Sequence, residues 1–134
     1  KSHGTEAFSG ITASPLIEGG LLILCPFAKP GASVVALDPN SGREIWRALD
    51  DSFSYSTPVV LQAGGQTQLI VWTQAAITSL DPTTGRTWWR EACSTPGDMA
   101  VATPVFAGHR LLAGGILFQL GSNSPTASAL WPEK

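Results

Sequence analysis

The chain has 134 residues, of which 43% are hydrophobic and 13% charged, and it carries a formal net charge of −2. That is ample apolar material for a buried core, while the balance of charge lacks the basic field with which a nucleic-acid binder neutralises phosphates. No run approaches the roughly 20 consecutive apolar residues of a membrane-spanning helix, so neither a nucleic-acid partner nor a membrane span is expected.

Fourteen glycines and ten prolines punctuate the chain, and no segment sustains the i, i+3, i+4 apolar spacing of a helix, so the class is all-β. Lys1 to Glu6 lack the charged, apolar and small-residue regions of a signal peptide. The first strands fall at Ser14-Pro15-Leu16-Ile17 and Leu21-Leu22-Ile23-Leu24-Cys25, joined by a turn at Glu18-Gly19-Gly20. Val34-Val35-Ala36-Leu37 is β-branched and apolar, and Glu44-Ile45-Trp46-Arg47 alternates polar with apolar, which predicts a second hairpin. In its turn, Asp38 can accept from the backbone amides that follow, Pro39 presets φ, and Gly42 supplies the left-handed position.

This arrangement repeats. Ala36 to Arg47 recurs as Ser79 to Arg90, 43 residues on, with Asp81, Pro82, Gly85 and Trp89 in the places of Asp38, Pro39, Gly42 and Trp46. Ahead of the second copy stand Thr57-Pro58-Val59-Val60, a turn near Gly64-Gly65 and Leu69-Ile70-Val71-Trp72. A third copy runs Thr103-Pro104-Val105-Phe106, Gly108-His109, Arg110 to Ala113, Gly114-Gly115 and Ile116 to Leu120. Its last hairpin departs from the pattern. Leu and Trp lie eleven positions apart, Leu120 to Trp131, against nine in the other two, with Gly121 in place of Asp and Pro125 inside what reads as a longer loop.

Four strands per repeat at this period are the signature of propeller blades. The expected fold is an all-β section of a β-propeller with about three four-stranded antiparallel blades, near 14–56, 57–102 and 103–131. Three blades fall short of the roughly four to eight of a closed ring. The chain therefore reads as an excised section of something larger, or alternatively as a small protein whose copies finish the ring. Open blade edges would favour self-association. Trp46 and Trp89 are expected to be buried between adjacent blades, each with its indole N–H on a backbone carbonyl.

The repeated pattern Ala/Ser-Leu-Asp-Pro-x-x-Gly-Arg-x-x-Trp-Arg resembles the blade motif of pyrroloquinoline-quinone-like β-propellers. The segments Ala13 to Gly19 and Asp98 to Phe106 are similar to those of bacterial BamB-like proteins, notably of planctomycetes. This family includes quinone-dependent alcohol dehydrogenases, non-catalytic assembly scaffolds and sensor domains, so membership leaves function open. The resemblance implies a periplasmic or otherwise extracytoplasmic location. In the dehydrogenases it implies adjacent disulfide-bonded cysteines, a tryptophan floor and a calcium at the propeller axis. Here Cys25 and Cys93 stand far apart, in non-equivalent places of two blades, so a disulfide is left open without being favoured and no zinc spacing is present.

Other candidates reduce to structural roles. Asp38 to Gly42 has oxygen ligands before a glycine but lacks the terminal Glu and flanking helices of an EF-hand. The Gly-Gly pairs lead into no Lys-Ser/Thr and are turn formers. His3 and His109 assemble no catalytic triad with the residues around them. Arg43, Arg47, Arg86 and Arg90 are expected on or beside outermost strands, away from the axis. The reading is a non-catalytic scaffold or binding module without cofactor or metal, facing a protein or polymer partner. Its alternatives are a quinone-dependent dehydrogenase fragment or a sensor domain. The loops that feed the inner strands, Asp50 to Tyr55 and Ser94 to Met99, crowd one rim. Asp51, Tyr55, Asp98 and Met99 are its candidate binding residues.

Overall fold

The structure, a computed structural model, describes residues 13–93 and 100–131. Among the described residues twelve strands form three separate four-stranded antiparallel sheets, each running in simple chain order. Sheet one holds β1 (Leu16–Glu18), β2 (Leu21–Leu24), β3 (Val34–Leu37) and β4 (Glu44–Ala48). Sheet two holds β5 (Val59–Ala63), β6 (Gln66–Trp72), β7 (Ala76–Leu80) and β8 (Thr87–Ala92). Sheet three holds β9 (Val105–Ala107), β10 (Arg110–Ala113), β11 (Ile116–Leu120) and β12 (Ala127–Trp131). The architecture is an open run of propeller blades. No helix among the described residues is long and apolar enough to cross a membrane.

The turns form for the reasons the sequence gives. Asp38 accepts from the amides of Asn40 and Ser41 at 2.8 and 3.3 Å, and Asp81 accepts from that of Thr83 at 2.8 Å. Those two amides hold the Asp38 carboxyl below its ordinary value. Gly42 and Gly85 close the two turns at φ 71° and 76°, a region in which an L side chain is strained.

Because residues paired across a ladder share a face, each sheet has a forward face, turned toward the next sheet, and a rear face. Ile23, Val34, Ala36 and Trp46 on the forward face of sheet one pack on Leu69, Val71 and Leu80 on the rear of sheet two. In the same way Ile70, Trp72 and Ile77 pack on Leu111, Ala113 and Phe118 of sheet three. Two parallel cores result, and they hold Cys25 and Cys93 separately, with no disulfide between them. Sheet one adds a feature of its own. The β2 to β3 connection folds back through an Ala28–Ala32 bridge, and both alanines pack with Leu24, Val35 and Leu37 on the rear face.

The third hairpin corrects the sequence reading. The rung that closes the last turn is Leu37 with Glu44 in sheet one, Leu80 with Thr87 in sheet two and Leu120 with Ala127 in sheet three. All three turns are therefore the same length, and the loop containing Pro125 is not longer. What differs is the β-bulge, one extra residue that shifts the pairing. It falls immediately after the first rung in sheets one and two but between Leu117 and Phe118 in sheet three. Trp46 and Trp89 pair one rung past the closing rung, where sheet three has Ser128, so Trp131, which pairs with Leu117, lies two rungs farther along and is not the counterpart of the other two.

Candidate functional site

The rim at which each sheet ends and the next begins carries the linkers and the β2–β3, β6–β7 and β10–β11 connections. Leu49, at φ 63°, turns the chain out of β4 into the linker 50–58. Its backbone then lies beside the next linker: Tyr55 N donates to Ala100 O at 2.8 Å, and the Ser54 and Ser56 hydroxyls donate to Ala100 O and Ala102 O. Ser54 and Ser56 are buried, so these bonds satisfy groups that water does not reach.

Asp51 is the tie of this rim. Its carboxylate receives Arg90 Nη1 and Nη2, both at 2.9 Å, and the Thr73 hydroxyl at 2.7 Å. Arg90 also donates to Thr78 Oγ1 at 2.8 Å. A paired guanidinium and carboxylate fixes direction as well as distance, so the linker is locked onto the rear face of sheet two. Asp50 adds a bond from Gly31 N at 2.7 Å, and the Ser33 hydroxyl donates to Asp51 O. Of the four arginines expected to project from the outer strands, Arg90 thus folds back across its sheet onto the linker. Arg47 is held by Glu44 at 2.6 Å, and Arg86 lies 5.2 Å from the Trp88 ring centroid. On this braced frame Phe53 and Tyr55 form a tilted pair, with centroids 5.4 Å apart, both half-buried. Asp98 and Met99 lie outside the described residues. His109 is exposed in the β9–β10 turn, on the opposite rim.

The two repeat tryptophans divide. Trp46 is 8% exposed and its Nε1 donates to Pro82 O of the next sheet at 3.0 Å, as expected. Trp89 is only half-buried, packs against Phe118 at 5.9 Å, and donates to a side chain, Gln68 Oε1, at 2.8 Å. The turn beyond it begins with Gly121 and continues through Ser124 and Pro125, so the Asp-Pro segment whose carbonyl receives Trp46 has no copy there. Gln68 is fully buried. It accepts from both Trp89 and Ser79 Oγ and donates to Ala63 O at 2.8 Å. Sequence reasoning missed this residue. Its one signal is a polar side chain within the run Gln66 to Trp72.

A quinone with its calcium would need carboxylates and cations converging on the inner strands β1, β5 and β9. Among the described residues no three of His, Cys, Asp or Glu gather as a metal site, and Arg90 is committed to Asp51. The described residues do not fit that group.

The sequence profile of the family described as outer membrane protein assembly factor BamB matches residues 4–131. The chain belongs to the BamB family. Among solved structures it is similar to BamB from Moraxella catarrhalis, with a TM-score of 0.62 and 23% identity over 87% of this chain. That likeness shows the propeller fold, and the chain spans 39% of the length of the Moraxella protein. No curated protein matches the chain.

Proposed function

We propose that the chain is a non-catalytic scaffold module of an extracytoplasmic protein, presenting the rim around Asp51, Phe53 and Tyr55 to a protein partner. One observation carries this reading. The linker 50–58 is held by hydrogen bonds from three directions, which presents the Phe53–Tyr55 pair on an ordered backbone. Preorganised aromatic side chains lose little entropy on binding and serve as anchors at protein interfaces. The family's description as an assembly factor supports a partner that is itself a protein, and its outer-membrane setting supports the extracytoplasmic location.

The test is site-specific photocrosslinking in cells, with a photoreactive phenylalanine analogue at Tyr55 and, as control, at His109 on the opposite rim. A discrete protein adduct from position 55 and none from 109 is expected. Adducts from 109 alone, or the same adducts from both, would refute the assignment of the rim.

A further inference from the structure

Arg47 and Arg90 occupy the same place in successive repeats but are held by different partners. Arg47 Nε and Nη2 donate to Glu44 of their own strand at 2.6 and 2.9 Å. Arg90 donates instead to Asp51 of the linker and to Thr78 Oγ1. The bulge explains how Glu44 reaches Arg47. In a regular strand residues three apart point to opposite faces, but the extra residue of the bulge returns Glu44 and Arg47 to one face, where they pair with Leu37 and Val35. Sheet two carries its bulge at the same place, so Thr87, paired with Leu80, shares the rear face with Arg90, paired with Thr78. Thr87 has no charge with which to hold a guanidinium. The neighbouring strand differs as well, offering the Thr78 hydroxyl where sheet one has Val35.

The two kinds of partner would draw an arginine in opposite directions. Position 87 opens β8 just past the β7–β8 turn, whereas Asp51 and the Thr73 that donates to it lie at the linker rim, at the other end of the sheet. A guanidinium drawn to position 87 therefore leaves Asp51. The Arg90 side chain is 37% exposed, within reach of a competitor, and that of Asp51 is 13% exposed. A carboxylate so little hydrated is costly to leave without its cation, so loss of Arg90 releases the linker as well as the ion pair.

We propose that Arg90 is a positioning residue for the rim, latching Asp51 and through it the Phe53–Tyr55 pair, and that the uncharged residue at position 87 keeps this latch closed. With the rim taken as the partner-binding surface, as proposed above, the latch sets how tightly the partner is held, because a loop that must first be ordered loses entropy on binding.

The test follows amide hydrogen exchange at Tyr55 and Ser56 by NMR in the 134-residue chain. Both amides are bonded within the rim, to Ala100 O and Ser54 Oγ, so their exchange reports local opening. Arg90→Gln should speed exchange at least about tenfold, as expected for loss of hydrogen bonds between charged groups. Thr87→Glu should speed it about threefold, the scale of an exposed ion pair competing for Arg90, and Thr87→Gln, of the same size without the charge, should not. In an Arg90→Gln background Thr87→Glu should have no further effect, a non-additivity that altered strand propensity at position 87 would not produce. Thermal melts check that each variant is folded. The yield of the position-55 photocrosslink should fall in Arg90→Gln and Thr87→Glu and hold in Thr87→Gln. Unchanged exchange in Arg90→Gln, or equal exchange in Thr87→Glu and Thr87→Gln, overturns the latch. Faster exchange with an undiminished crosslink overturns its control of binding. A wild type that gives no adduct from position 55 refutes the binding rim instead, a failure distinct from that of the latch.

Discussion

Gly42 and Gly85 occupy the same place in the repeat, at φ 71° and 76°, yet alanine at the two should have different effects. Both substitutions force an L side chain into the left-handed region, which costs about 1–2 kcal/mol. At Gly42 the new methyl meets nothing within 4 Å, so that cost is the whole effect. At Gly85 it would stand 2.5 Å from Cε3 and 2.8 Å from Cδ2 of Trp46. The indole cannot retreat easily, being buried and tied through Nε1 to Pro82 O. Overpacking of this kind adds about 1–3 kcal/mol, so Gly85→Ala should cost about 2–5 kcal/mol in all, within the range of the larger single-site effects. Urea unfolding followed by tryptophan fluorescence measures both, with the slope m checked for constancy. A double-mutant cycle isolates the clash: in a Trp46→Ala background, Gly85→Ala should fall to the cost of Gly42→Ala. Equal costs for the two alanines in the wild-type background, or an undiminished Gly85→Ala cost once the indole is gone, would refute the reasoning.

Three further expectations follow from the buried groups and the inner strands. Gln68→Ala should destabilise by about 2–5 kcal/mol, because it opens space in the core and removes the acceptor of Trp89 Nε1 and Ser79 Oγ, as read from the same urea midpoints. Burial pushes the Cys25 thiol up to about 12 from 9.0. With its folded value raised, the folded chain keeps the proton that the unfolded chain loses, so this contribution to stability is intact below pH 9 and falls as pH rises above it. Cys25 should resist alkylation at pH 8 until the chain unfolds, and mass spectrometry of labelled peptides under native and denaturing conditions checks this. Calorimetric titration with pyrroloquinoline quinone and calcium should show no binding, and micromolar affinity at one site per chain would overturn the non-catalytic reading.

The sequence by itself determined what is local and repeated. Asp38 and Asp81 before proline, Gly42 and Gly85 four residues after each aspartate, and apolar runs on either side specify hairpins through contacts only a few residues apart. Counting those hairpins was enough to give three four-stranded sheets and the all-β class. The rim was legible as a place, because strand ends and linker composition locate it, but its chemistry was not. That Asp51 is bound by Arg90, 39 residues away, depends on how one sheet sits on the next. The same holds for Gln68, whose polar side chain is buried only because Trp89 and Ser79 meet it within the core. Trp131 shows the limit most directly. Counted along the chain it closes a third repeat like Trp46, but with the bulge displaced by two residues it pairs two rungs farther along, on a forward face that no further described sheet covers. Spacing in sequence reports the order of residues, whereas burial depends on ladder register and on which face another sheet covers, and both are decided by tertiary packing.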